Sequence, residues 1–368
     1  MPRDLVRRAA RRLRRSLTRT APATGSGSAP LPVVGYVVAG AHGAHPASAH
    51  VRVVRRTEHL AAAGTATVRQ VDPAGFVDGT DDTTYAVVLV QRDILPRASV
   101  GPFLDAAHAR GVRVVAEVDD DFFTASGRER LARAEYDPDR LASIDALVRG
   151  ADVVVVSTTE LAEVVRPIAR EVVVVRNALD PTLWAPGPVV DTGPLPADEH
   201  RVLYMGTLTH AADLELLRDV FTDLVASDGR PVRLEVIGVA EDDADWYRRV
   251  EVPDGHYPAF ARWLVDHRQR WRAGVAPLRD EEFNRAKSDL KALEYVALGL
   301  PAVVSDRPSY AEAAAHGVVA VPDDPSAWRA AVVAAVDRGT ADPGAASWVA
   351  GERTIGTDGD GWRRVLLG

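Results

Sequence analysis

Cysteine is absent from all 368 residues. That excludes disulfides and thiolate metal sites, and it fits a reducing compartment such as the cytoplasm. No apolar run approaches the length of a membrane span. Nothing near the start pairs an apolar segment with a cleavage site of the secretory kind. What is present is an ordinary globular balance, 46% hydrophobic and 26% charged, over a length that suits two domains.

The net charge of −8 hides an asymmetry, because the first nineteen residues carry eight Arg and one Asp. Residues 1–20 read as a helix with Leu5, Val6, Ala9, Leu13 and Leu17 on one side and Arg over the rest. Basic amphipathic helices of this kind lie on anionic membrane surfaces. Competing readings are a nucleic-acid-binding tail and a plain solvated one. The acidic body repeats no basic face, so no nucleic-acid partner is expected. Residues 21–30 complete a 1–30 segment as a Gly-, Ser- and Pro-rich linker.

From residue 31 the chain alternates between short apolar runs and longer helical patterns, the rhythm of a parallel α/β sheet. Val33–Val38 reads as a buried strand. A glycine loop follows, in which His42 and His45 are candidates to face a ligand, and then a helix over 47–63. Strands are predicted at 67–71, 86–90, 112–117, 152–156 and 172–175, and helices at 99–109, 128–149 and 158–168. Asp119, Asp120 and Asp121 stand at a strand's carboxyl end, where open α/β sheets place their ligand crevice. Three adjacent carboxylates repel one another, so they are candidate functional groups. Capping of the next segment and a Mg²⁺ or Mn²⁺ site are the alternatives. This first domain spans 31–184, and residues 185–199 form a Pro- and Gly-rich linker. A second domain over 200–345 opens with a strand and the turn Gly206-Thr207, followed by His210. Residues 346–368 form a tail.

The most informative stretch runs from Gly274 to Asp306. It reads as strand, loop, helix, tight turn and strand. Ser288 is predicted to cap a helix reaching Leu298, with Gly299 stopping it. Leu290, Leu293 and Ala297 share one side of that helix. Lys287, Lys291 and Glu294 form a polar stripe near its start. Two ammonium groups beside free backbone N–H groups suit a phosphate dianion, and a carboxylate one turn deeper suits sugar hydroxyls. An exposed i,i+4 charge cluster is the competing reading.

Lys287-Ser288, Leu290-Lys291, Leu293-Glu294-Tyr295 and Ala297-Leu298-Gly299-Leu300-Pro301 resemble the nucleotide-sugar signature of GT-B glycosyltransferases near family four, the glycosyl transferases of group 1. The closer resemblance is to a bacterial subgroup with a Lys-Ser-x-Leu-Lys-x-Leu-Glu-Tyr signature. Glu294 matches the second Glu of that family's pair, which binds the ribose, while Ala286 stands where the first would fall. The resemblance implies an α/β fold of two Rossmann-like domains facing a cleft. It implies donor binding by Gly206, Thr207, His210, Lys287, Ser288, Lys291 and Glu294. Ser48 and Arg52 match a pattern on the helix after the glycine loop that faces the cleft, and with His42 and His45 they are the acceptor or sugar candidates. Asp119 and Asp120 replace a His-Asp pair and become candidates for general base or sugar binding. The tail is expected to cross back onto the first domain.

The expected activity is transfer of a sugar from a nucleotide-diphosphate-sugar co-substrate to a hydroxyl of a cell-envelope glycan, lipid-linked or other acceptor. No metal and no further cofactor is expected, because the two lysines offset the leaving group's charge. The expected place is the cytoplasm, at the inner face of the plasma membrane through residues 1–20. Two alternatives stand beside this reading: a nucleotide-sugar epimerase of similar shape, and a non-enzymatic nucleic-acid or scaffold protein working through its basic tail.

Overall fold

The computed structural model describes residues 30–41, 44–185, 187, 197–359 and 361–368. The helix expected over 1–20, His42 and most of the 185–199 linker lie outside the described residues.

Two six-stranded sheets organise the rest. The first has the order β2-β1-β3-β4-β5-β6, from β1 (Val33–Val37), β2 (Thr67–Gln70), β3 (Val87–Gln91), β4 (Arg113–Val118), β5 (Val153–Val156) and β6 (Val172–Val174). The second has the order β12-β11-β10-β7-β8-β9. Its strands are β7 (His200–Met205), β8 (Val232–Ile237), β9 (Tyr247–Arg249), β10 (Ala273–Ala276), β11 (Ala302–Ser305) and β12 (Val319–Val321). Every pairing within both sheets is parallel. Parallel strands are covered on both faces and therefore read as unbroken apolar runs. β3 and β5 are buried at every position.

Strand order sets where a ligand can sit. In the first sheet the chain leaves β1 for β2 on one side, then jumps to β3 on the other. In the second it leaves β7 for β8, then jumps to β10. Each reversal opens a crevice at the strands' carboxyl ends.

Several helices differ from the sequence reading. The segment after the glycine loop runs as Ala47–Ala49, a π-helical turn His50–Val54, and Arg55–Ala62. The single helix expected over 128–149 is two, Ala125–Arg133 and Pro138–Gly150. Glu135 between them adopts a φ of 55°, and the Asp137 side chain caps the second. The helix of the signature stretch is Leu290–Ala297, with Asp289 at its N-cap position. Gly274 lets this helix lie close on β10, because a Cβ there would stand 2.3 Å from the Tyr295 ring. Tyr295 in turn donates its hydroxyl to the Val275 carbonyl at 3.0 Å and accepts from the Met205 amide at 3.3 Å.

The end of the chain belongs to the first sheet. Trp362, Val365 and Leu366 of the Gly361–Leu367 helix share a core with Val34, Val87 and Leu89. The Arg113 guanidinium donates to the Val365 carbonyl.

Candidate active site

A cavity of about 330 Å³ lies where the carboxyl ends of the two sheets face each other. Ser48, Arg52, Arg92, Asp119 and Asp120 line it from the first domain. Gly206, Thr207, His210, Lys287, Ser288, Lys291 and Glu294 line it from the second. His45 does not line it. That side chain is 6% exposed and its Nδ1 lies 2.9 Å from the Ala39 carbonyl, so it pins its own loop instead of facing the cleft.

Lys287 and Lys291 are the only lysines in the chain, against 42 arginines. A compact ammonium with three donors and a mobile pKa differs in chemistry from a planar guanidinium. Both ammonium-bearing positions fall in one cavity. They do not share a helical stripe. Lys287 precedes the helix, and its amide closes a turn onto the Asn284 carbonyl at 3.2 Å. Its Nζ reaches the other domain and pairs with Asp120 Oδ2 at 2.9 Å. Nor is Ser288 the cap, because its hydroxyl accepts from Asn177 Nδ2 at 2.8 Å, also across the domain boundary.

Lys291 Nζ lies 3.2 Å from His210 Nε2. Burial, aided by the neighbouring Lys287 charge, lowers the Lys291 pKa to about 8. Burial also raises Glu294 to about 8, against the opposing pull of Lys291 and the Tyr257 hydroxyl. A carboxyl that keeps its proton near neutrality can donate a hydrogen bond as well as accept one. His210 moves the other way. Burial and the two lysines lower its pKa to about 3, overcoming Asp213, so the ring is neutral at neutral pH.

The glycine turn after β7 is built from two glycines. Gly206 donates its amide to the Ile237 carbonyl at 3.0 Å. Gly238 stands opposite with a φ of +73°, where a Cβ would meet the Gly206 oxygen at 2.4 Å. No other residue type tolerates both the dihedral and the approach.

On the first domain the three carboxylates after β4 point three ways. Asp119 pairs with Arg92. Asp120 pairs with Lys287 through one oxygen, while its other oxygen is buried and has no hydrogen-bond partner among the described residues. Burial pushes the Asp120 pKa up, but Lys287 and Arg92 outweigh it and the net shift is downward. Asp121 is structural: its Oδ1 accepts from the amides of Phe123 and Thr124, both at 3.0 Å, ahead of the Ala125–Arg133 helix. Separate partners thus remove the mutual repulsion. Among the described residues no group of three or more His, Cys, Asp or Glu side chains is placed to hold a metal ion.

Arg52 lines the cavity floor but is 1% exposed. Its Nε donates to Glu117 Oε1 at 2.7 Å, and its Nη1 donates to the Val175 carbonyl at 2.7 Å and Asn177 Oδ1 at 2.8 Å. Most of this guanidinium thus ties β4 to the chain after β6, while its Nη2 has no hydrogen-bond partner among the described residues.

Four more residues belong to this arrangement, and three of them carried no local signal. Arg92 sits just after β3 with a φ of 48°, a strained conformation for a non-glycine residue. Tyr257 lines the cavity and accepts from Trp184 Nε1 at 3.2 Å. Asp213 and Arg130 form a buried polar knot behind His210. Of these, only Asp213 leaves a trace in sequence, as a His-x-x-Asp spacing with His210.

Residues 199–338 match the family model described as glycosyl transferases group 1. The chain carries a glycosyl transferases group 1 domain and is a glycosyltransferase. No curated protein matches it by sequence. Similar solved structures include Anabaena HepE in complex with UDP, at 11% identity and a TM-score of 0.56, over 91% of this chain and 99% of that one. The same protein in complex with UDP-glucose gives a TM-score of 0.55 at 11% identity and the same two coverages, 91% and 99%. A Listeria monocytogenes protein described as a UDP-N-acetylglucosamine 2-epimerase gives 0.53 at 10% identity, over 92% of this glycosyltransferase and 95% of that chain. At such identities the likeness is one of fold: two Rossmann-like domains facing a cleft, the GT-B arrangement.

Proposed function

We propose that the enzyme transfers a sugar from a nucleoside-diphosphate sugar, held mainly by the second domain, to a hydroxyl presented from the first. The observation that carries this reading is the meeting of the chain's two lysines, the glycine turn and Glu294 in one cavity, opposite Asp119 and Asp120. Lys291 and Lys287 stabilise the diphosphate as the bond from the anomeric carbon to its oxygen breaks. Glu294 binds the ribose. The acceptor oxygen forms the new bond to that carbon, and its proton passes to a carboxylate of the Asp119–Asp120 pair. The nucleoside diphosphate leaves. Ser48, with Ala47 beside it on the cavity wall, faces the acceptor or the transferred sugar.

The acceptor in this reading is a hydroxyl of a cell-envelope glycan or lipid-linked glycan, met at the inner face of an anionic membrane. The support is the sequence of residues 1–20, an apolar stripe among eight arginines. Among the described residues no helix is long and apolar enough to cross a membrane.

The experiment is a thermal-shift screen of nucleotide sugars, since a ligand of the native state raises its stability by mass action. The stabilising donor is then incubated alone and with envelope lipid and glycan fractions. Release of nucleoside diphosphate that depends on an acceptor supports transfer. Conversion of the donor's sugar with no acceptor present makes the protein an epimerase instead.

A further inference from the structure

Behind the cavity, Asp213 is 0% exposed and gathers donors from both domains. Its Oδ1 accepts from the Arg279 amide and Asn284 Nδ2, each at 3.0 Å. Its Oδ2 lies 2.9 Å from His210 Nδ1 and 3.3 Å from Arg130 Nη2. Arg130 comes from the first domain, from the helix that Asp121 helps to start. It also donates to the Thr209 carbonyl at 2.8 Å and Asn284 Oδ1 at 3.2 Å.

This arrangement fixes a tautomer. A carboxylate surrounded by four donors can only accept, so the proton between it and the imidazole sits on His210 Nδ1. Nε2 then carries a lone pair, and that lone pair faces the Lys291 ammonium at 3.2 Å.

We propose that Asp213 is a positioning residue of the donor site, which acts through the neutral His210 ring to hold the Lys291 ammonium toward the diphosphate. The proposal rests on the donor reading above. The low pKa of His210 agrees with it, since a protonated ring would turn a second N–H toward the ammonium. Arg130 extends the arrangement: a first-domain side chain completes the shell around the carboxylate, so the aim of Lys291 depends on the two domains being together.

The test uses full-length protein and the tightest binder among UDP, ADP, GDP, CDP and dTDP. Asp213→Asn places an amide where four donors converge and removes the preference for Nδ1–H. It is expected to weaken diphosphate binding at least tenfold while leaving the parent nucleoside's affinity unchanged. Added to Lys291→Ala, it is expected to cost less than a further twofold, because the two act as one unit. Fully additive losses, or equal losses for diphosphate and nucleoside, overturn the proposal. A second measurement covers an Asp213→Asn protein that does not fold. Nitrogen chemical shifts of the wild-type histidines, with His210 assigned by its loss in His210→Gln, should show an Nδ1–H tautomer, and an Nε2–H tautomer overturns the proposal. Unchanged diphosphate affinity in Lys291→Ala removes the donor reading, and this proposal with it, whichever tautomer is found.

Discussion

Lys287 crosses the cleft to Asp120, and its Nζ stands 2.9 Å from Oδ2. The pair links a cation assigned to the donor with a carboxylate assigned to the acceptor. In the proposed reaction a diphosphate competes with Asp120 for Lys287, and success frees Asp120 to take a proton. Asp120→Asn is expected to tighten nucleoside diphosphate binding by roughly threefold to fivefold, on the scale of a partly exposed ion pair. Turnover should fall by roughly 10²–10⁴-fold, the scale of general base catalysis. Calorimetry and steady-state rates read the two effects, and weaker binding by the Asn variant would count against the competition.

Lys291→Ala should weaken nucleoside diphosphate binding by about 1.5–3 kcal/mol, the range for charge-assisted hydrogen bonds. In the wild type, affinity should hold steady below pH 8 and fall above it. Two groups change there in the same sense: Lys291, lowered to about 8, loses its charge, and Glu294, raised to about 8, gains one. Of the groups facing them, His210 is held neutral and Asp213 and Asp120 are held ionised across that range. Because the chain has two lysines, protein labelled with carbon-13 at the lysine ε position gives two signals. One of them should titrate near pH 8, and two lysines that both titrate near the ordinary value would refute the assignment.

Glu294 also ties stability to pH. Its folded pKa of about 8 lies above the ordinary 4.5, so between those values the folded state holds a proton that the unfolded chain has released. Stability contributed by that protonated group is full below pH 4.5 and declines toward pH 8. Glu294→Gln removes the decline. The variant should melt higher than wild type at pH 8, with the gap closing by pH 5. A gap independent of pH would point to packing instead.

Arg52→Met should destabilise the fold by about 3–5 kcal/mol, because it leaves Glu117 buried without its cation. Gln91 Nε2, at 2.8 Å, remains the other partner of that carboxylate. The double variant Arg52→Met with Glu117→Gln should recover much of the loss in chemical denaturation. No recovery would mean that the arginine's links to Val175 and Asn177 carry the stability.

Full-length protein should sediment with anionic vesicles at low salt and release at high salt, while residues 31–368 alone should not bind. Each arginine near an anionic surface contributes on the order of 1 kcal/mol. Equal sedimentation of both forms would remove residues 1–20 as the anchor.

Much of the scaffold was legible because buried parallel strands announce themselves. Predicted strands at 86–90, 112–117 and 152–156 fall within one residue of Val87–Gln91, Arg113–Val118 and Val153–Val156. Turn chemistry was also readable at Gly206, where a strand runs into a glycine and a polar run. The helix start was misplaced by one residue because a serine before an apolar run looks like a cap, whereas Ser288 is engaged by Asn177 from another domain. Local spacing cannot register such a partner. The same holds for Arg52, whose position on a helix facing the cleft suggested a ligand. The Glu117 carboxylate that holds its Nε lies 65 residues away. Arg130 lies in an ordinary charged helix surface until the second domain is placed beside it.

The helix Gly361–Leu367 has a consequence for how the molecule is made. Trp362, Val365 and Leu366 close a core whose other walls, Val34, Val87 and Leu89, are translated near the beginning. A ribosome must deliver the whole second domain before these residues emerge. That face of the first sheet therefore waits, covered only in part by Ala49, Val53, Val54 and Leu60, while the second domain is made. Unclosed apolar surface on a nascent chain is what chaperones hold, and a fragment ending at the interdomain linker keeps the remaining part exposed permanently.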